Sequence, residues 1–202
     1  MNATAPVDFY FEFSSPYGYI ASQLADALEQ RIGRPLAWHP FLLGPVFKMT
    51  GGAPLVDIPL KGAYSVRDFE RSAHWHGVAY AQPPKFPIGT VAPLRAFYWA
   101  DAQDPARARG LAKALYAAYF TEGRDISAPA TVLDIAQSAG IDRAALAAAL
   151  EDPALKERAK QAVESAIARG VFGSPFFIAD GEPFWGVDRI PMMEDWLRRG
   201  GW

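Results

Sequence analysis

The chain has 202 residues, half of them hydrophobic, with 20 Lys and Arg against 22 Asp and Glu, a net charge of −2 and no cysteine. That length suits one domain, or a small domain carrying an insertion, and the hydrophobic half supplies a substantial core and excludes a disordered chain. The absence of a basic stripe argues against a nucleic-acid partner, no charge-free apolar run of about 18 residues supports a membrane span, and the lack of cysteine excludes disulfides and a protein-borne thiol redox cycle.

Met1–Pro6 carries neither a basic region nor an apolar run, which predicts a cytoplasmic protein whose fold starts at Val7. In Val7-Asp8-Phe9-Tyr10-Phe11-Glu12-Phe13 the apolar residues alternate with Asp8, Tyr10 and Glu12, so this run is a strand with Val7, Phe9, Phe11 and Phe13 on one face. Ile20, Leu24, Leu28 and Ile32 then recur every four residues until Gly33 and Pro35 stop the pattern, as in a helix with one buried stripe. Ser15 is the natural N-cap of that helix and Pro16 its first residue. Two compatible roles follow for Ser15. Its oxygen can accept a first-turn N–H, and its proton can be given to an anion above the helix start, where the free amides and the dipole favour negative charge. In a chain without cysteine, a thiolate held there must come from another molecule.

A second strand is expected over Leu36–Phe41, giving a β-α-β opening. Residues 44–62, rich in Gly and Pro, read as a long loop or an insertion boundary. Helical patterns follow near 66–77, 90–103, 105–121, 128–139 and 142–151. Asp104-Pro105 and Asp152-Pro153 serve as cap and first-turn pairs, Ser127 as another cap, and Gly123 and Gly140 as stops. A further helix spans Pro153–Arg169. Phe176–Ala179 and Glu182–Trp185 flank Asp180-Gly181, a tight hairpin signal, and a last helix begins after Asp188 and runs through Ile190, Met193 and Leu197. The order predicts an α/β sandwich, residues 1–62 with 153–202, interrupted by an all-helical domain over 63–152. Strands from both ends must share one sheet, because neither half alone has enough of them.

In Gly170-Val171-Phe172-Gly173-Ser174-Pro175-Phe176-Phe177 a proline directly precedes a strand. A trans bond would simply start that strand. A cis Ser174–Pro175 bond would instead turn the Ser174 N–H and C=O outward, free to pair with a peptide-like ligand.

As a whole the chain resembles the DsbA-like thioredoxin-fold proteins with an inserted helical domain. Within that group it is most similar to 2-hydroxychromene-2-carboxylate isomerase and the related kappa-class glutathione transferase. The resemblance rests on Val7–Tyr17, Pro40–Gly44, Lys61–Tyr64 with Arg67-Asp68, Gly170–Phe176 and Trp185–Arg189. It implies an α/β, thioredoxin-like fold, glutathione as cofactor, a small aromatic substrate and a homodimer. It also implies roles for particular residues. Ser15 would hydrogen-bond the glutathione sulfur, standing where redox relatives carry the first cysteine of their CxxC. Ser174 would pair with the cysteinyl backbone beside a cis Pro175, Asp188 and Arg189 would take the γ-glutamyl end, and Lys61 the glycyl carboxylate. Read without the family, Asp188 is an ordinary helix cap, Arg189 a solvated first-turn residue and Lys61 an exposed loop lysine.

Two departures concern the second substrate. Phe86-Pro87-Ile88-Gly89-Thr90 lacks the family's Asn after Phe-Pro, so a polar side chain in the second-substrate pocket is missing or is replaced by Thr90, and the loop at Gly51-Gly52-Ala53 also lacks its Asn. The implied reaction is isomerisation by reversible thiolate addition. A kappa-like transferase and a non-catalytic binding module are the alternatives. Of the only histidines, His39, His74 and His76, the last two stand two apart on a predicted helix, where side chains diverge, which argues against a metal site, and no Gly-x-Ser-x-Gly elbow or phosphate loop is present.

Overall fold

The computed structural model describes residues 5–202, so the reading of the N-terminus rests partly on Met1–Thr4, outside the described residues. The chain opens as β1 (Val7–Phe11), α1 (Pro16–Ile32) and β2 (Leu36–Pro40), and closes as β3 (Phe176–Ala179), β4 (Glu182–Trp185), a 3-10 turn (Val187–Arg189) and α9 (Ile190–Arg199). The sheet runs β2-β1-β3-β4, with β1 parallel to β2 and antiparallel to β3, and β3 antiparallel to β4. Both ends of the chain therefore build one thioredoxin-like sheet.

Between β2 and β3 lie α2 (Leu43–Thr50), a 3-10 turn (Leu55–Asp57), α3 (Lys61–Trp75), α4 (Val91–Asp101), α5 (Pro105–Phe120), α6 (Pro129–Ser138), α7 (Arg143–Glu151) and α8 (Pro153–Ala168). The helices α4–α8 form the inserted helical subdomain, in which α8 packs on α4 and α7.

Most predicted ends coincide with physical caps. Asp104 and Asp152 accept the N–H groups of Ala106 and Ala154, and Gly33 ends α1 at φ 64°. Two expectations fail. The segment 44–62 is not a loop: α2, a 3-10 turn and the start of α3 occupy it. Gly44 and Pro45 fall in the first turn of α2, where a missing N–H costs no helical bond, Val46 anchors the helix in the core, and Gly62 packs against the Val56 carbonyl where a side chain would not fit. Ser127 is not a cap either. Its N–H and hydroxyl both go to Asp125, and Ala128 precedes α6.

β1 is covered on both faces. On one, Phe9 stacks on Phe11 and on Phe177, at 5.1 and 5.0 Å, with Trp38 edge-on, and Phe11, Phe13 and the neighbouring Tyr19 meet Tyr116 of the insertion's α5. On the other, Tyr10 is buried against His39, stacked at 4.8 Å, and Phe41, edge-on. The sheet and the helical subdomain thus share a single aromatic core, and the end of β1 lies within it.

Candidate functional site

Where β1 gives way to α1, Ser15 takes the extended backbone of an N-cap (φ −90°, ψ 116°), and its Oγ accepts the Gly18 N–H at 3.0 Å. Its hydroxyl donates to the Ser174 carbonyl, also at 3.0 Å. The Ser174–Pro175 bond is cis, and Gly186 N–H donates to the Pro175 carbonyl at 3.0 Å, which ties this turn to the end of β4. Ser15, Ser174 and Pro175 are therefore in one place, although 159 residues separate the two serines. Among the described residues neither the Ser174 N–H nor the Tyr17 N–H has a protein acceptor. One lies on a strand-like edge and the other at the open end of a helix, so the donor set fits a ligand carrying both a backbone amide and an anion.

Beneath this surface is a polar layer that sequence reasoning missed. Glu12 is only 6% exposed. Its Oε2 accepts the Ser14 N–H at 2.7 Å, its Oε1 accepts the Thr90 hydroxyl, and its N–H donates to Ser174 Oγ at 2.9 Å. The Glu12 carbonyl accepts both Ser15 N–H and the Tyr116 hydroxyl, at 2.9 and 2.8 Å. Burial pushes the Glu12 carboxyl up to about 7, against the lowering effect of the Thr90 and Ser14 bonds. Strand alternation could have flagged Glu12 as a polar residue at a strand end, but not its burial, because the cover comes from α4 and α5. Of the two alternatives for the family's polar side chain, its absence or its replacement by Thr90, the structure favours absence, for Thr90 is buried with its hydroxyl on Glu12.

Gly18, three residues after Ser15, leaves room for these groups: a Cβ there would sit 2.5 Å from Ser174 Oγ and 2.8 Å from the Tyr116 hydroxyl. Tyr17 donates to Asp68 of α3 at 2.6 Å, and burial with the Asp68 hydrogen bond raises its pKa, so it stays protonated. The Asp188 charge also reaches Tyr17, and the 187–189 turn packs on α1. Asp188 is not a cap. It pairs with Arg189 at 2.7 Å, both exposed, and α9 starts without a side-chain cap.

Lys61 is the first residue of α3, two turns before Asp68, exposed and without an ion-pair partner among the described residues. The structure thus joins Ser15, Ser174 and Pro175 directly, packs the turn that carries Asp188 and Arg189 on α1, and places Lys61 at the start of α3, which also packs on α1. Tyr116 and Tyr119 are core, whereas Trp185, 55% exposed, meets Phe172 edge-on at 4.9 Å beside Gly173. Two clefts of about 650 and 680 Å³ lie at the far end of α1, and several of the charged residues that line them are in ion pairs with each other.

Comparison with known proteins agrees with this architecture. A family model for a DSBA-like thioredoxin domain matches residues 6–198. The 2-hydroxychromene-2-carboxylate isomerase of Pseudomonas putida is 29% identical over 195 residues, covering 96% of this chain and 94% of the relative. Human glutathione S-transferase kappa 1 is 23% identical over 208 residues, covering 95% and 92%. A solved structure of 2-hydroxychromene-2-carboxylate isomerase superposes with a TM-score of 0.85 at 29% identity, covering 96% of this chain and 95% of that one. The chain belongs to the DSBA-like thioredoxin domain family and, within it, is related to the 2-hydroxychromene-2-carboxylate isomerases.

Proposed function

We propose that this protein is a glutathione-dependent isomerase acting on an aromatic catabolic intermediate of the 2-hydroxychromene-2-carboxylate type, as a cytoplasmic homodimer. The observation that carries the reading is the meeting of the Ser15 helix cap with the Ser174 carbonyl at a cis proline, in a chain that has no sulfur nucleophile of its own. Glutathione, when bound, supplies a thiolate able to add reversibly to a conjugated carbon, allow rotation about the bond so made single, and leave again.

The protein's part is to bind and orient. Ser174, through its N–H and C=O, would take the cysteinyl backbone of the tripeptide. Lys61 would take the glycyl carboxylate, and Asp188 with Arg189 the γ-glutamyl end. Ser15 would turn its hydroxyl from the Ser174 carbonyl toward the sulfur while its oxygen keeps the Gly18 N–H. The Tyr17 N–H and the α1 dipole add to that stabilisation of negative charge. Trp185 and Phe172 offer an apolar rim for an aromatic substrate.

Titrating reduced glutathione while recording thiolate absorbance, with Ser15→Ala alongside, tests this. The wild-type protein is expected to hold the sulfur ionised at neutral pH, and the variant to raise the thiol pKa by about one unit or more. Equal binding with an unmoved pKa would refute the role of Ser15, and no binding at all would leave a non-catalytic module. During turnover, free glutathione stays constant for an isomerase and falls stoichiometrically for a transferase.

A further inference from the structure

Glu12 is the buried ionisable group that the reading above does not use. It sits directly behind both arms of the site, giving its N–H to Ser174 Oγ and receiving Ser15 N–H on its carbonyl. Its carboxyl has no ion-pair partner among the described residues. The titratable side chains whose charge couples to it are Tyr116 and Tyr119 of α5, both held neutral by burial. From α4 it meets the Thr90 hydroxyl, from the Ser14 turn a backbone N–H, and from the β3 side the uncharged Ser174.

The choice of partners matters. A hydroxyl can donate to a carboxylate or accept from a carboxylic acid, so Thr90 satisfies Glu12 in either protonation state, and the Ser14 N–H serves Oε2 in both. An arginine in that place would have locked the carboxylate charged, and an apolar wall would have locked it neutral. Glu12 therefore gains or loses a proton without any rearrangement of the turn that carries Ser15. The carboxyl is held on the Ser14 N–H, one residue from Ser15, and is buried, so an anion above the turn and a carboxylate below it oppose each other.

Resting on the glutathione reading, we propose that Glu12 is a positioning residue that sets the acidity of the thiol held at Ser15, by carrying a proton whenever the thiolate stands on α1 and by opposing the thiolate when it is itself ionised. The two groups titrate as a coupled pair. At pH 8 the free protein holds Glu12 largely as the carboxylate. Forming the thiolate releases a proton from the thiol while Glu12 takes one from solvent, and the net release approaches zero.

Calorimetry of reduced glutathione binding at pH 8, in buffers of differing ionisation enthalpy, counts those protons, and absorbance titration of the bound sulfur gives its pKa. Wild-type protein is expected to release well under one proton. Glu12→Gln, which keeps the shape and the hydrogen bonds, should release close to one and lower the thiol pKa by about one unit. Thr90→Val offers a second route that leaves Glu12 in place. Removing the hydroxyl lifts the carboxyl pKa, so Glu12 is already protonated at pH 8 and proton release again rises toward one. Equal proton counts and an unmoved thiol pKa in both variants would overturn the proposal while leaving glutathione binding intact. Absence of binding to the wild-type protein would overturn the reading beneath it as well.

Discussion

Gly18 faces Ser174 Oγ and the Tyr116 hydroxyl across a gap too small for a methyl group. Alanine is favoured over glycine inside a helix by about 1 kcal/mol, yet forcing an extra carbon into a filled site costs about 1–3 kcal/mol, so the clash should win. Gly18→Ala is therefore expected to lower the midpoint of thermal unfolding and weaken glutathione binding, and a variant that melts higher would show that the serine layer yields easily. Glu12 gives a pH dependence of unusual sign. Its folded pKa of about 7 lies above the ordinary 4.5, so the folded state binds the extra proton between those values, and stability falls as pH rises through that window. The loss amounts to roughly 3 kcal/mol once both states are ionised. Asp26, Asp125, Asp180 and Asp195, whose pKa values are lowered, act below this window. His76, lowered by burial, acts in the opposite sense near its upper end. Urea midpoints at pH 5 and pH 8 for the wild-type protein and Glu12→Gln isolate the carboxyl: the wild type should lose stability between them and the variant much less.

At the scale of elements, the hairpin is where local chemistry and tertiary structure agree most closely. Asp180 and Gly181 take φ 51° and 91°, as an Asp-Gly turn requires, and the Asp180 carboxylate also meets Arg34, just beyond α1, through two bonds of 2.8 Å. Arg34 is buried and Asp180 half-exposed, so losing the carboxylate strands the arginine. Asp180→Asn keeps the turn geometry and should cost about 1 kcal/mol, at the low end for a buried pair because solvent screens the acid. Since the Asp180 pKa is lowered in the folded state, this contribution is present above about pH 4 and fades as pH falls through the folded value, a trend that denaturant curves at pH 7 and pH 3 would reveal. The same comparison explains what could be read from the chain. Caps, stops and the hairpin lie in adjacent residues, so Ser15-Pro16, Asp104-Pro105, Asp152-Pro153 and Asp180-Gly181 were legible. So was the cis Ser174–Pro175 turn, as one of two possibilities and through the family pattern. The helix α2 was not, because Gly44 and Pro45 stand in its first turn and Gly51 and Gly52 follow it directly, while a single buried side chain, Val46, holds it. Glu12 was hidden for a different reason. Its alternation is that of a half-solvated strand, and only the docking of α4 and α5, 78 to 104 residues further along the chain, removes the water.

At the scale of the whole molecule, the inserted helices are part of the wall behind the site, since Ile88, Thr90 and Tyr116 hold Ser14 and Glu12 in place. The second tie lies at the other end of α1. Arg109 of α5 reaches Asp26 and Glu29, Lys113 adds a bond to Asp26, and the Arg109 guanidinium lies 5.1 Å from the centre of the Trp38 ring. Glu29 in turn accepts the Leu36 N–H at 2.6 Å, so the start of β2 is fixed by the same carboxylate that α5 grips. With an aromatic core between these two ties, neither unit can open without exposing the other, and unfolding should be a single transition. Trp38 reports on the sandwich and Trp99 on α4, while far-UV circular dichroism follows all the helices, so coincident urea midpoints by fluorescence and dichroism are expected. Arg109→Ala removes partly buried pairs and the cation above Trp38, for a loss of about 1–2 kcal/mol. If the units are coupled as described, that loss shifts both probes together. A midpoint that splits, with the helical signal persisting after the sandwich has melted, would mean that the insertion folds by itself and that the floor beneath Ser15 is only loosely held.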